Sequence, residues 1–510
     1  MEPHRPLSVS RRAFLAVLAG APFIACARKT DRAIAGGFVD DGGARGHRLR
    51  DRAAVPPVRR SERAGIVVVG GGMAGLSAAW RLRRRGYTDF VLLELEDRAG
   101  GNSRWGENEA SAYPWAAHYV PVPDEKAVHV REMFADLGVL RGGVWDERAM
   151  VSPLRERLYR WGRWHEGLEG ALIDTAADRA ELRRFGEEMD ALRATGEFTI
   201  PSALGAPASS PLDAMTMGDW LRARGYRSPA VHWYADYACR DDYGARADQT
   251  SAWAGIHYFA SRPRDEQGPL TWPEGNGWIV RRLLERVGEH VRTGAPVHRV
   301  EPAPGGVRVL AGDVEYRAEA VVWAAPSFLA AHVVEGAPRV GFVYSPWLTA
   351  NLVLDRWPEE PEMEPAWDNV LHDSPALGYV VATHQSWAQR PASTVWTYYW
   401  ALAHQPPAEA RRALLSRSWG DWKELILGDL ERAHPDIRRC VSRLDVMRMG
   451  HAMVRPTPGF LGDAARRSLI TSPGPVFYAH SDLSGLSLFE EAQHRGITAA
   501  DRALARVGVG

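Results

Sequence analysis

The chain has 510 residues, 45% hydrophobic and 25% charged, the proportions of a globular protein able to bury a large core. Lys+Arg and Asp+Glu are equal at 63 each, which excludes a dedicated nucleic-acid binder with a net basic surface. Three cysteines are too few for a disulfide framework, and the 20 tryptophans fit either an aromatic core or an aromatic-lined ligand cavity.

At the N-terminus, Ser10-Arg11-Arg12-Ala13-Phe14-Leu15 open an apolar run that ends at Ala25. The run is shorter than the roughly 20 residues a membrane-spanning helix needs, so it reads as a signal, residues 1–26, rather than a span. The paired arginines resemble the twin-arginine export signal, whose machinery carries folded proteins. That resemblance implies export to the periplasm or cell envelope with a cofactor already loaded. Phe23-Ile24-Ala25-Cys26 resembles a lipoprotein cleavage box with Phe in place of the usual Leu. Lipidation of Cys26, which would anchor the chain to a membrane, and plain cleavage nearby both remain open. Residues 27–62, rich in Arg, Gly and Asp, read as a linker or an arm over the surface.

From Gly65 the parts of a nucleotide-binding βαβ unit follow in order. Ile66-Val67-Val68-Val69 reads as a parallel strand buried on both faces. Gly70, Gly72 and Gly75 then fit G-x-G-x-x-G, with Met73 and Ala74 between the last two. The first glycine permits the tight turn, the second lets backbone approach a diphosphate, and the third allows close helix–strand packing. Leu76 to Arg85 has helical spacing, and its start offers free N–H groups to the diphosphate. Phe90-Val91-Leu92-Leu93 reads as the second strand, and Glu94 ends it where a carboxylate accepts both ribose hydroxyls.

The continuation Glu96-Asp97-Arg98-Ala99-Gly100-Gly101 resembles the E-x-x-D-R-x-G-G segment of the flavin-containing amine oxidase superfamily. Further pieces resemble it too. Pro296-Val297-His298-Arg299-Val300 is similar to a strand whose Val backbone contacts adenine, and Val321-Val322-Trp323-Ala324-Ala325-Pro326 to the V-I-x-A-x-P strand. Val476 to Asp482, with Gly485, Glu490-Glu491-Ala492, Gly496 and Ala499-Ala500, is similar to the C-terminal flavin segment. The resemblance implies an α/β fold: a discontinuous Rossmann-like FAD-binding domain at 63–150, 265–345 and 440–507. An α+β substrate domain, 151–264 and 346–439, is inserted into it. FAD is expected to be held non-covalently, since no cysteine lies near the C-terminal segment. Its ligands are expected to be Gly70, Gly72, Met73, Ala74, Gly75, Glu94, Gly100, Gly101, Asn102, Val297 and Asp482.

The inserts read as helix over 172–235 and as strands at Leu352-Val353-Leu354, Tyr379-Val380-Val381 and Val395 to Tyr399, with helix again from Arg411 to Leu430. Two departures from the amine oxidases stand out. Asn351, or Ala350 beside it, takes the place of a lysine that reaches flavin N5 through water, and Leu488 replaces a cage tyrosine. Without the lysine, electrons would pass to an acceptor other than oxygen. Asn102 and not Arg follows the Gly-Gly pair, with Arg104 close by.

Asn351 joins His118, Asp241 and Asp242 as the candidate catalytic set. His118 lies on a segment, Tyr113 to Tyr119, similar to the loop beside the flavin ring, and would serve as a base or as a loop brace. Asp236, Arg240, Asp241, Asp242 and Tyr243 form either a receptor for substrate ammonium or a salt-bridge knot. Trp367-Asp368-Asn369, His384-Gln385, Asn276 and Arg455 are further polar candidates. There is no C-x-x-C, C-x-x-C-H or H-E-x-x-H motif for zinc or haem. Three functions fit: an exported FAD-dependent oxidation of an amine such as a polyamine, a desaturase- or isomerase-like reaction on an apolar substrate, and a non-catalytic flavoprotein.

Overall fold

A computed structural model describes residues 33–39, 43–51, 56–262, 268–360, 363–386 and 391–509. The paired arginines and Cys26 lie outside them.

The β-branched run Ile66–Val69 is fully buried and forms the centre of a five-stranded parallel sheet. Phe90–Leu93 and then Val291–Arg292 lie on one side of it, and Ala320–Trp323 and then Val476–Tyr478 on the other. The strand order therefore reverses between Ile66–Val69 and Ala320–Trp323. In open α/β sheets, ligands bind outside the carboxyl ends of the strands at such a switch. Helices Met73–Arg84, Gly277–Val287 and Phe489–Arg506 cover one face around Leu76, Leu82, Ile279 and Ala500. A second sheet covers the other face: the antiparallel meander Val297–Ala303, Gly306–Ala311, Val314–Ala318, with Arg60–Arg63 added parallel.

The inserts build an eight-stranded sheet in the order Ala35–Phe38, Val441–Arg455, Val343–Leu354, Thr394–Ala401, Gly378–Val381, Asp368–Leu371, Glu156–Arg160, Arg163–Glu166. Alternation along each strand separates its two faces. Trp347, Tyr399 and Val380 pack under helices Ala176–Ala194, Met217–Ala223, Pro229–Tyr243 and Ala252–Ala260, whereas Leu348, Ala350, Trp396 and Tyr398 pack against Trp419–Leu430. Helix Ala176–Ala194 starts where a Thr175–Asp178 capping box ends the preceding turn. The helical stretch expected over Arg411 to Leu430 is two helices, Pro407–Ser416 and Trp419–Leu430, because Ser418 and Asp421 form a second capping box.

Two boundaries differ from the sequence reading. Val441–Arg455 is a long strand of the eight-stranded sheet rather than part of the nucleotide domain, since its hydrogen-bond partner along most of its length is Val343–Leu354. The described part of 27–62 is no linker: Ala35–Phe38 and Arg60–Arg63 are strands in different sheets, with helix Gly43–Arg50 between them. Their residues alternate too little in polarity for pairing to show in the sequence. Tryptophan serves chiefly as core, with Trp253, Trp396 and Trp422 fully buried.

Candidate active site

Two glycine turns face each other at the carboxyl edge of the parallel sheet. Gly70 has φ +104°, open to glycine alone at little cost, and a methyl on Gly75 would lie 1.8 Å from the Gly70 carbonyl oxygen. Gly72 differs: the nearest atom to a methyl there is the Cα of Gly101, 4.0 Å away. The fold itself therefore does not require glycine at 72, and the open space in front of it is where a ligand's diphosphate can approach. Gly100 and Gly101, with φ +130° and +54°, form the opposite turn. Helix Met73–Arg84 begins at Gly72 without a side-chain cap, leaving its first N–H groups for an anion. Met73 and Ala74 are themselves core residues, Ala74 against the last helix at Gly496. Only their backbone is left to meet a ligand.

Glu94 ends the second strand nearly buried. Its Oε2 accepts the Gly71 N–H at 2.6 Å and its Oε1 the Glu96 N–H at 2.8 Å. Burial raises its pKa against the opposing pull of those two N–H groups. Each oxygen keeps a lone pair for a hydroxyl donor. Val297 starts the meander, 4% exposed. Asp482, by contrast, acts within the protein: its Oδ2 accepts the Ser327 N–H at 2.9 Å and the Tyr344 hydroxyl at 2.8 Å. It braces the helix that follows Ala320–Trp323. Asn102 donates its amide to the Ala452 carbonyl at 2.9 Å, tying the second glycine turn to the long strand.

Beyond Asn102 a small cavity of about 130 Å³ opens between Ala116–Tyr119, Asn276, Thr349 and the start of the last helix at Ser487–Glu490. It shares His118, Tyr119, Asp241 and Tyr399 with a larger cavity of about 500 Å³ under the helices of the inserted part. Tyr119, Tyr234, Tyr237, Tyr258 and Tyr399 wall this larger space, together with Trp367. Its acids are Glu156, Glu169, Asp241 and Asp368. Glu156 and Asp368 stand opposite each other on neighbouring parallel strands. Burial, with a like-charged neighbour as the next cause, raises Glu156 to about 7, and the same two causes raise Asp368 to about 7. Asp368 also accepts the Tyr399 hydroxyl at 2.8 Å. Burial and then Asp242 and Asp368 raise Asp241 well above the usual carboxylate range, against the pull of Arg262 and Arg240. Three arginines reach the larger cavity, and Arg262 is already paired with Asp242 at 2.8 Å.

His118 sits where the two cavities meet. Its Nδ1 lies 3.0 Å from the Ala116 carbonyl, so Nδ1 carries the proton and Nε2 is left as acceptor. Burial lowers its pKa to about 4 and keeps the ring neutral at pH 7.

The acidic segment of helix Pro229–Tyr243 divides its labour. Asp236 pairs with Arg240 at 3.2 Å and accepts the Ala247 N–H at 3.1 Å, a structural knot, whereas Asp241 points to the cavities. Asn351 does not line either cavity. Its amide donates to the Pro114 carbonyl at 3.0 Å and its oxygen accepts the Thr397 hydroxyl at 2.7 Å, so both ends are held in the protein. The cavity-lining residues of that strand are Thr349 and Trp347, two and four positions earlier on the same face. Arg455 anchors Ser345 at 2.6 Å and Gln249 at 3.0 Å. His384 and Gln385 bond the carbonyls of Ser152, Arg148 and Met150 beside a different groove. Sequence reasoning missed Glu156 and the tyrosines, which come from separate segments with no shared motif. The chain contains three lysines, Lys29, Lys126 and Lys423, and among the described residues no lysine lines either cavity.

Residues 73–504 match the model of the flavin containing amine oxidoreductase family. The chain belongs to that family. Among solved structures, putrescine oxidase bound to putrescine superposes with a TM-score of 0.66 at 18% identity, over 87% of this chain and all of that one. Cyclohexylamine oxidase from Brevibacterium oxydans gives 0.66 at 16% identity, over 87% of this chain and 99% of that one. An L-amino acid dehydrogenase of Synechocystis is 24% identical over 306 residues, 53% of this chain. The chain spans 58% of the length of that curated relative. The cofactor of this flavin family is FAD, and the residues present fit it: the space before Gly72, the two glycine turns, the uncapped helix start and the buried Glu94.

Proposed function

We propose that the chain is an FAD-dependent amine dehydrogenase that acts on a small aliphatic amine bound as a cation. The observation that carries this reading is the pairing of buried carboxylates with tyrosine walls in a cavity continuous with the flavin-side space. Burial raises Glu156 and Asp368 to about 7 and Asp241 well above the usual carboxylate range, and an ammonium group bound beside them would favour their ionised forms. Tyrosine faces favour the same cation.

FAD supplies the hydride acceptor. Gly70, Gly72, Gly75 and Glu94 hold its diphosphate and ribose. Asp241 would receive the ammonium at the junction, and the neutral Nε2 of His118 would accept a hydrogen bond from it. Glu156 and Asp368 sit deeper, where a second ammonium of a diamine or polyamine would end. Charged walls count against the apolar substrate of a desaturase-like relative. That no lysine among the described residues lines the cavity supports an acceptor other than oxygen. The export signal read from Arg11-Arg12 and Phe14-Leu15 supports an envelope location and a partner in the twin-arginine machinery.

The test is anaerobic titration of the FAD-loaded protein with monoamines, diamines and amino acids, following the flavin absorption band. Bleaching by an amine, lost in Asp241→Asn and followed by slow recovery in air, is the expected result. A protein that stays yellow with every amine overturns the proposal.

A further inference from the structure

Asp368 reaches the larger cavity from Asp368–Leu371, a strand of four residues paired in parallel with Glu156–Arg160. Its neighbour across the ladder is Glu156, and like charges directly opposite each other push two strands apart. A ladder this short also does little to fix its own register. A slip of one residue turns every side chain to the other face, which would take Asp368 out of the cavity.

The next pair along the ladder, Arg157 and Asn369, lies on the opposite face of the sheet. Arg157 is fully buried there. Its Nε donates to Asn369 Oδ1 at 2.6 Å, and its Nη2 to the Tyr379 hydroxyl at 3.1 Å. Its Nη1 donates to Glu360 Oε2 at 2.5 Å and to the carbonyls of Met363 and Glu364 at 3.1 and 3.3 Å. The guanidinium lies 3.8 Å from the centre of the Trp164 ring. Asn369 in turn donates to the Ala366 carbonyl at 2.8 Å and accepts the Ala366 N–H at 3.2 Å. Glu360 Oε1 meets His434 Nδ1 at 2.8 Å, and His434 Nε2 lies 2.7 Å from the Tyr379 hydroxyl. One side chain therefore grips the strand of Asp368 and the residues that lead into it. Among these is Trp367, whose ring centre lies 5.6 Å from that of His118.

A buried ion pair adds little net stability over apolar packing of the same volume. What a guanidinium adds is geometry, since its donors leave in a fixed planar fork. We infer that Arg157 is a positioning residue for the cavity: from behind the sheet it holds Trp367 in place and Asp368 opposite Glu156, and so sets the diamine preference of the site. The inference rests on the amine reading above, with Glu156 and Asp368 as the seat of the second ammonium.

The test uses the full FAD-loaded chain under anaerobic conditions. Dissociation constants for 1,4-diaminobutane and butylamine come from the concentration dependence of flavin bleaching, and their ratio is the diamine preference. Arg157→Lys keeps the charge but not the fork, and Asn369→Leu removes the partner across the ladder; both changes lie on the face away from the cavity. Each is expected to lower the preference about tenfold while butylamine binding stays within about threefold of the parent. Tyr379→Phe removes one contact only and is expected to lower the preference a few-fold; it carries the test if the other two variants fail to fold. A preference unchanged within about twofold in the folded variants overturns the inference. So does an equal loss for both amines, which marks a purely structural role. A parent that bleaches with both amines but does not prefer the diamine overturns the seat at Glu156 and Asp368, and this inference with it, while the amine reading stands. A parent that no amine bleaches overturns the amine reading as well.

Discussion

Asp368 shows how one side chain joins recognition to stability. It faces Glu156 across a parallel strand pair, and burial raises both groups to about 7. An acid whose folded pKa exceeds its unfolded value contributes stability that is fully present below the unfolded pKa, near 4. That contribution is lost as pH rises through 7. Asp368→Asn retains an acceptor for the Tyr399 hydroxyl while removing the charge. In the substrate-free protein, its melting temperature is therefore expected to exceed the parent's by several degrees at pH 8 and to match it at pH 5. Thermal melts at the two pH values check this, and equal shifts at both would show that charge is not the cause. The same substitution is expected to weaken diamine binding more than monoamine binding.

At the scale of elements, the strand–turn–helix from Ile66 to Arg84 was legible because every part of it is contiguous. The strand, the three glycines and the terminal Glu94 lie within 29 positions of one another. The glycines nevertheless have different reasons for being glycine. Gly75→Ala would press a methyl into the Gly70 carbonyl and is expected to unfold the turn or to cost about 1–3 kcal/mol. Gly72→Ala meets open space, so the FAD-free protein is expected to melt as the parent does while binding FAD at least about tenfold more weakly. Paired melting curves and flavin titrations separate the two. Asn351 illustrates what was not legible. The facing and satisfaction of its amide depend on Pro114 and Thr397, which no local pattern reveals. The acidic cavity was hidden for the same reason: Glu156, Asp241 and Asp368 meet only because three distant elements pack together.

For the whole molecule, the balance of buried titratable groups sets the acid limit. Burial lowers His118, His451 and His494 to about 4 and His257 to about 3. A histidine with a depressed folded pKa contributes stability that is present above about 6.5 and is lost as pH falls toward the folded value. Glu94, Glu156, Asp213, Asp241 and Asp368, raised by burial, work in the opposite sense over part of this range. His298, His384, His404 and His434 are lowered too, so eight histidines face five acids among the described residues. Denaturant midpoints are expected to fall between pH 6.5 and 4, and substitution of His257, held by the Thr199 carbonyl at 2.8 Å, by Gln is expected to flatten that fall. A midpoint that rises on acidification would show that the acids dominate.

The facing of Glu156 and Asp368 also bears on heat. At pH 7 the pair holds protons that an arriving ammonium displaces into the buffer, so binding is coupled to buffer ionisation. Calorimetry of diamine binding to oxidised protein in phosphate and in Tris should give enthalpies that differ, because the displaced proton is taken up by buffers with different ionisation heats. The slope of observed enthalpy against buffer enthalpy counts the protons released. It should fall in Asp368→Asn combined with Glu156→Gln, leaving the share of Asp241.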